Sequence, residues 1–261
     1  LLEGIGKALD NLEPVDVRRG IGSCGFNVNR RKLVNGEIRG EPNENGPVDR
    51  EVNVVAFYRR DGSPKAVLAH YTCHPTTTDA NEISSEFCGV ATGKIESIFG
   101  NRTLCAYLQG CTGDVRPNLV RDGKFYRGTD EHVCRLGHTL ADEIADVLGR
   151  PMTDVKPAPL LTRRLVVPLK LQKPGEQVPF EMTLLRLADD LGFVAMNGEV
   201  VVEYGLLVKK KYKGKVIPLA YSNGMLGYIP TERQVHEGGY EGRDSYHYFG
   251  LAAPFDPSLE T

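Results

Sequence analysis

The sequence predicts an α/β fold in which mixed β-sheets are layered with α-helices. Short apolar runs typical of strands alternate along the chain with segments whose apolar residues recur at helical spacing. Most connections between them are short, as in folds that pack helices on sheets. Clusters of polar residues directly follow several strand-like runs, and the carboxyl ends of strands are where α/β folds place their ligand sites.

Seven runs rich in apolar residues predict strands. They are Val52–Phe57, Ala66–His70, Leu104–Gln109, Leu165–Leu171, Met182–Leu187, Phe193–Met196 and Val216–Ala220. Residues 30–50 are polar and rich in turn formers, and they predict a long surface loop. The proline-rich segment 151–160 predicts a connector between two subdomains. Candidate site residues fall on both sides of it, so we expect residues 1–261 to form a single catalytic-type domain.

Helical spacing is clearest over Glu131–Leu148, and Gly149 predicts the end of that helix. Its apolar stripe comprises Val133, Leu136, Leu140, Ile144 and Val147. Two further helices are predicted, one from near Val90 to Gly100 and one over Val200–Lys211. The opening residues, LLEGIGKALDNLEP, resemble the interior of a helix, so we expect the natural chain to continue upstream.

Composition excludes several classes of protein. The 261 residues are 41% hydrophobic and 25% charged, which is ordinary for a globular protein. The net charge of −2 gives no reason to expect nucleic acid or an anionic membrane surface as a partner. No apolar run predicts a transmembrane segment, and six cysteines are too sparse for a disulfide scaffold. Compartment and oligomeric state stay open.

The stretch HYTCHPTTT contains two histidines, His70 and His74, at the end of a predicted strand. Pro75 disfavours helical dihedrals at His74, so the pair does not share a helix face. Residues four apart on a strand are separated by roughly 13 Å. Two nitrogen ligands of one zinc ion lie only about 3–3.5 Å apart. We therefore expect His74 alone to be a ligand and His70 to be a core or supporting residue.

Polar clusters follow four of the predicted strands. If those strand ends converge, His74, Asp114, Glu199 and Tyr228 surround one cleft. Imidazole, carboxylate and phenol groups together predict a metal site. The alternative for Glu199 is a structural role, because a carboxylate near a helix N-terminus is stabilised by the helix dipole.

Six motifs occur in an order that resembles the catalytic domain of the neutral/alkaline, non-lysosomal ceramidase family. They are FNVNRR (Phe26–Arg31), CHPT (Cys73–Thr76), ISSEFCG (Ile83–Gly89), GDVRPN (Gly113–Asn118), NGE (Asn197–Glu199) and GYIPT with GGYEG (Gly227–Gly242). The resemblance runs through nearly the whole chain. It implies a ceramidase-catalytic-domain-like fold, zinc as cofactor, and an amidohydrolase that acts on a carbon–nitrogen bond of a small-molecule or lipid-like substrate.

In that family a zinc ion is held by two histidines, a glutamate and a tyrosine. His74 matches the second histidine, Glu199 the glutamate and Tyr228 the tyrosine. The first histidine belongs to a motif similar to HTHSGP, which would lie upstream of Leu1. Without that first histidine, the zinc ligands would be one nitrogen and two oxygens, which bind zinc more weakly than a set with two imidazole nitrogens. Residues 1–261 are therefore expected to bind zinc poorly, and a chain that includes the upstream histidine is expected to bind it well.

Arg116 stands where the family carries a serine nucleophile, immediately before the proline of GDVRPN. Arginine keeps its proton and cannot attack a carbonyl. Either a metal-activated water attacks, or Arg116 binds an anionic substrate group through its planar fork. Thr112 or Cys111 as a replacement nucleophile would require a shifted backbone.

The resemblance also implies roles for residues around the metal. Arg30 and Tyr240 match an arginine and a tyrosine that line the family's active site, and Arg30 and Arg116 are expected to contact substrate. Asp114 completes the predicted catalytic group, where we expect it to orient its loop.

Two other interpretations remain. A cysteine hydrolase could use Cys73 beside His74, although adjacent strand residues point to opposite faces and pair poorly. Alternatively, the chain could be a non-catalytic ligand-binding homologue that lost the serine and carries Arg116 in its place.

Overall fold

The computed structural model describes residues 2–261. The helices are α1 Leu2–Asp10, α2 Glu86–Ile98, α3 Asp130–Gly149, α4 Val202–Lys211 and α5 Glu232–Glu237, and a π-helical turn covers Tyr240–Asp244. The strands are β1 Asp16–Ser23, β2 Asn27–Val34, β3 Glu37–Asn43, β4 Glu51–Tyr58, β5 Pro64–Tyr71, β6 Leu104–Gln109, β7 Val115–Pro117, β8 Val120–Arg121, β9 Lys124–Phe125, β10 Thr153–Asp154, β11 Pro157–Lys170, β12 Gln177–Ala188, β13 Gly192–Met196, β14 Glu199–Val200, β15 Val216–Leu219 and β16 Tyr228–Ile229. This mixture of sheets and helices confirms the predicted α/β class.

Two larger sheets organise the molecule. The first has the strand order β10-β1-β4-β5-β6 and is antiparallel except for the parallel pair β5–β6. The second has the order β11-β12-β13-β15, with β13 and β15 parallel. A smaller sheet joins β3, β2 and β7, and a parallel pair joins β14 and β16.

The central strand of the first sheet, β4, is buried on both faces, which explains its apolar run from Val54 to Phe57. Val54 and Ala56 belong to a core shared with α2 and α3, while Val55 on the opposite face packs in a cluster with Phe193 and Ile217 of the second sheet. Because successive side chains of a strand point to opposite faces, a strand between two apolar layers carries apolar residues at consecutive positions. Asn53 is the polar exception, and its side chain accepts a hydrogen bond from Arg19. The order of layers is therefore helices, first sheet, second sheet.

All five residues of the predicted apolar stripe of α3 are buried. α2 starts earlier than predicted, at Glu86 instead of near Val90. β11 is longer than predicted and begins at Pro157, so the 151–160 segment contains strand residues in β10 and β11 as well as a connection. No helix within residues 2–261 is both long and apolar enough to cross a membrane.

The prediction of a long surface loop over residues 30–50 is wrong. β2 and β3 form an antiparallel hairpin there. Asn35 and Gly36 connect the strands with φ of 52° and 84°, the left-handed conformation that tight two-residue hairpin turns require. The polar sequence of β2 did not indicate a buried strand. Its Arg31 can be buried because it pairs with Glu241, which is far along the chain.

Candidate functional site

Three chain segments bring the predicted metal ligands together. His74 follows β5, and its backbone N–H donates to the carbonyl of Val115 at 3.1 Å. Glu199 and Tyr228 are directly paired residues of the parallel strands β14 and β16. Paired residues point to the same face, so these two side chains lie side by side. The structure thus brings His74, Glu199 and Tyr228 together.

A close backbone approach sets the position of β14. Gly113 N donates to the carbonyl of Val200 at 2.9 Å. A Cβ atom at residue 113 would lie 2.6 Å from the carbonyl oxygen of Glu199, closer than real contacts allow. The first residue of GDVRPN must therefore be glycine for the loop to lie against the strand that carries Glu199.

The Glu199 carboxylate is the centre of the cluster. Its Oε2 lies 3.3 Å from His74 Nε2 and accepts a hydrogen bond from the Tyr221 hydroxyl at 3.1 Å. Tyr228, which pairs with Glu199 between β14 and β16, is its immediate neighbour. The side chains of His74 and Glu199 are 18% and 11% exposed, so the cluster is sheltered but reachable from solvent.

The environment of Glu199 favours its ionised form. Burial raises the pKa of the carboxyl, but interactions with His74, Tyr228 and Tyr221 together outweigh burial, so the net pKa lies below its usual value. Burial raises the pKa of Tyr221 well above its usual value, and the neighbouring carboxylate raises it further. A negative carboxylate surrounded by neutral phenols is the resting charge state.

Sequence reasoning missed Tyr221. It joins the cluster through its hydroxyl, which also lies 3.0 Å from Thr112 Oγ1. Its backbone has a φ of 55°, a left-handed conformation that is unfavourable for an aromatic residue. Strained backbone of this kind persists where surrounding contacts enforce it. The available sequence signal was its position at the end of β15, in the same polar cluster as Tyr228.

Arg30 links the phenol of Tyr228 to a buried carboxylate. Its Nη2 donates to the Tyr228 hydroxyl at 3.0 Å and to the Gly113 carbonyl at 2.7 Å. Its Nε donates to Glu241 Oε1 at 2.7 Å, and the other oxygen of Glu241 accepts from Arg31 at 2.8 Å. Burial lowers the pKa of Arg30, but interactions with Glu241 and Tyr228 together more than offset burial and raise the pKa overall. Sequence reasoning also missed Glu241.

Tyr240 borders the same group of residues. Its ring centroid lies 5.2 Å from that of Tyr228, in an edge-to-face arrangement. The Arg30 guanidinium carbon lies 5.6 Å from the Tyr240 ring. Tyr240 is 41% exposed, so it presents an aromatic surface beside the candidate ligands.

Asp114 has a different environment from the one predicted. Its carboxylate is fully buried and accepts hydrogen bonds from the backbone N–H of Val202 at 2.8 Å and from Asn29 and Gln234, each at 3.1 Å. Val202 is the first residue of α4. The carboxylate therefore caps that helix from a distant loop. None of these hydrogen bonds is with His74, Glu199 or Tyr228, and they support an orienting role.

Arg116 lies beside the cluster, on β7. Its Nη2 donates to the carbonyl of Thr76 at 3.3 Å, two residues after His74. The guanidinium carbon lies 4.5 Å from the centroid of Phe125. Among the salt bridges formed within residues 2–261, none involves Arg116. Burial lowers the pKa of Arg116 to about 10, and the charges of Arg127 and Arg30 lower it in the same direction.

The other candidate residues are enclosed. His70 is 1% exposed, and its Nε2 lies 3.0 Å from the carbonyl of Pro218, so it is the core histidine expected. Cys73 is fully buried, and burial raises the pKa of its thiol well above the usual value. Cys111 and Thr112 are also buried. Because a nucleophilic cysteine needs an accessible thiolate, this environment disfavours a cysteine hydrolase.

The clustered side chains fit part of a zinc shell. The 3.3 Å between His74 Nε2 and Glu199 Oε2 matches the roughly 3–3.5 Å between two ligands of one zinc ion. Residues 2–261 contain no group of three or more His, Cys, Asp or Glu that could hold a metal. A zinc site here would therefore need phenol oxygens as ligands in addition to His74 and Glu199. The Nδ1 atom of His74 is buried without a hydrogen-bond partner, so the Nε2 contact and packing orient the ring.

The larger cavities lie away from this cluster. A groove of about 720 Å³ runs between the second sheet and α4, where Met182, Val194 and Leu207 contribute to its apolar lining. His74, Glu199 and Tyr228 do not line it. The candidate site is therefore identified by its chemistry and not by cavity size.

Comparison with known proteins shows the fold. No protein-family model matches the chain, and neither does any curated protein. A solved structure of neutral ceramidase from Pseudomonas aeruginosa superposes with a TM-score of 0.73 at 15% identity, over 92% of this chain and 50% of that one. A structure of a ceramidase complexed with C2 gives a TM-score of 0.75 at 15% identity, over 98% and 53%. The chain spans about half the length of these proteins, and over nearly all of its own length it has the fold of these two ceramidase structures.

Proposed function

We propose that this chain is a zinc-dependent hydrolase of an amide or related carbon–nitrogen bond. The observation that carries the proposal is the meeting of His74 Nε2 and Glu199 Oε2 at 3.3 Å, beside two tyrosine hydroxyls. The fold shared with ceramidase structures supports the same reaction class. The reacting bond would be an amide of a small molecule or of a lipid-like molecule.

His74, Glu199 and Tyr228 would hold the zinc ion. When bound, zinc supplies a Lewis acid that polarises a carbonyl and lowers the pKa of water. Arg30 holds the Tyr228 hydroxyl in place, and Glu241 in turn holds Arg30. Since Arg116 stands at the position where the resemblance implies a serine, water is the proposed nucleophile. The exposed ring of Tyr240 would contact substrate next to Arg30 and Arg116.

The test is metal-dependent turnover of N-acyl substrates, from short N-acyl amines to N-acyl sphingosines. We expect hydrolysis that is lost with a chelator and restored by zinc. His74→Ala and Glu199→Gln should reduce it by at least roughly a hundredfold, since each removes a ligand. His138→Ala is the matched control, because His138 is exposed on α3. Turnover that survives both the chelator and His74→Ala would remove the zinc hydrolase from consideration.

One observation favours a second candidate, a ligand-binding homologue without catalysis. Arg116 replaces the implied nucleophile, and nearby Cys111 and Thr112 are buried. This candidate predicts saturable binding of N-acyl ligands with no release of amine, whether zinc is present or absent. Measuring binding and amine release on the same preparation separates it from the hydrolase.

A further inference from the structure

The guanidinium of Arg116 has more donors than the protein satisfies. Its Nη2 donates to the Thr76 carbonyl, while its Nε is buried without any hydrogen-bond partner. A guanidinium has five N–H donors in a fixed plane. Buried donors without acceptors are costly, and a half-buried cation without a counter-charge is costlier still. Nε is sealed from solvent, but Nη1 is neither hydrogen-bonded nor sealed. This open donor on an uncompensated cation indicates that an acceptor from outside the chain belongs here.

A second arginine converges on the same point. Arg127 Nη1 lies 3.5 Å from the Thr76 carbonyl that Arg116 also contacts. The backbone N–H of Gly128 donates to the Thr77 carbonyl at 2.7 Å, which fixes this segment against the loop after His74. One carbonyl oxygen cannot neutralise two cations, so their mutual repulsion remains.

Nearby carboxylates are already engaged elsewhere. Glu86 Oε1 accepts hydrogen bonds from the backbone N–H groups of Thr77 and Thr78, at 2.8 and 3.3 Å. Glu241 is paired with Arg30 and Arg31. Arg30 therefore carries its own counter-charge, whereas Arg116 and Arg127 form no salt bridge within residues 2–261. The local excess of charge is positive.

We propose that Arg116 and Arg127 form a subsite for an oxyanion of the substrate, a carboxylate or a phosphate, next to the bond that is hydrolysed. That the bound molecule is a substrate rests on the proposed function, whereas binding of an oxyanion by the two arginines does not. Phe125 packs against the Arg116 guanidinium and holds its plane, which suits a two-point contact with two oxygens. The replacement of the implied serine would then mark a change of substrate from a neutral to an anionic amide.

The test compares three probes that share an acetamide. N-acetylglycine carries a carboxylate, O-phospho-N-acetylethanolamine carries a phosphate, and N-acetylethanolamine is neutral. Binding is measured by calorimetry with a chelator present, so that no metal contributes. We expect at least one anion to bind roughly tenfold or more tighter than the neutral probe, and the difference to shrink at high salt. The preferred anion identifies the source of the oxyanion.

Variants test whether the two arginines cause the preference for anionic probes. Arg116→Gln should bring the anionic and neutral probes to equal affinity, and Arg116→Lys should retain part of the preference because it keeps charge without the fork. Arg127→Gln, at an exposed position, gives a second measurement if Arg116→Gln fails to fold. Arg135→Gln, exposed on α3, should change nothing. Equal affinity for all probes in the wild type, no measurable binding of either anion, or a preference that survives both Arg116→Gln and Arg127→Gln would overturn the subsite.

The two proposals fail separately. Anion-selective binding without amide hydrolysis supports the subsite and refutes the hydrolase. Hydrolysis of neutral and anionic amides at equal efficiency supports the hydrolase and refutes the subsite.

Discussion

His74 Nε2 lies 3.3 Å from Glu199 Oε2, although His74 is in the loop after β5, Glu199 is on β14, and the two residues are far apart in sequence. Glu199 could have served the N-terminus of α4, but Asp114 performs that role through the backbone N–H of Val202. The carboxylate of Glu199 is consequently free to meet the imidazole, and this contact leads to the first prediction.

His74→Ala should weaken zinc affinity by at least roughly tenfold, because loss even of a residue that supports a ligand has an effect of that order. Competition with a chromophoric chelator measures the affinity of wild type and variant. His138→Ala, which removes an exposed imidazole from α3, should leave the affinity unchanged. Equal zinc affinities for His74→Ala and wild type would contradict the ligand assignment.

Glu241→Gln should lower the free energy of unfolding by about 3–5 kcal/mol, because it leaves two buried arginines without their shared partner. The side chains of Glu241 and Arg31 are 3% and 5% exposed. Urea denaturation gives the difference. The control is Asp146→Asn, which breaks an exposed pair with Arg150 on α3 and should cost less than about 1 kcal/mol. A Glu241→Gln effect no larger than that of the control would show that the buried network contributes little.

Acid should destabilise the protein partly through His70. Burial lowers its pKa to about 3, with a further decrease from the charge of Lys209. The unfolded state binds a proton at His70 below about pH 6.5 while the folded state does not, so stability falls as pH decreases, by up to about 1.4 kcal/mol per pH unit.

His70→Gln keeps an N–H donor for the Pro218 carbonyl but removes the titrating group. Unfolding by urea at a series of pH values between roughly 7 and 5 should therefore show a shallower loss of stability in this variant. Identical slopes for wild type and His70→Gln would mean that His70 is protonated in the folded state.

Thiol reagents should distinguish the cysteines by burial. Cys134 is exposed on α3, whereas Cys73 and Cys111 are buried and Cys88 is half-buried with a pKa raised to about 12 by burial. In the native protein an aromatic disulfide reagent should react rapidly with Cys134 alone, and Cys134→Ala should abolish that phase. Complete modification of Cys134 should not change amide hydrolysis. Rapid modification of Cys73 accompanied by loss of activity would revive the cysteine hydrolase.

Much of the fold was predictable because it depends on local patterns. The apolar stripe of α3 follows helical periodicity, and the apolar run of β4 reflects burial of the strand. Both elements were predicted from the sequence. The hairpin of β2 and β3 was not predicted, because its buried Arg31 is compensated by Glu237 and Glu241, both far along the chain. These pairings have no local signal.

The sequence by itself determined the α/β class and the expectation that His74, not His70, reaches the site, since strand geometry separates the two histidines. The tertiary structure decided how the site is composed. It placed the strained Tyr221 against Glu199, directed Asp114 to α4, and left Arg116 without a counter-charge. The physical reason is that hydrogen bonds and charge pairs act over a few ångströms between residues brought together by folding, and such distances are absent from the order of residues along a chain.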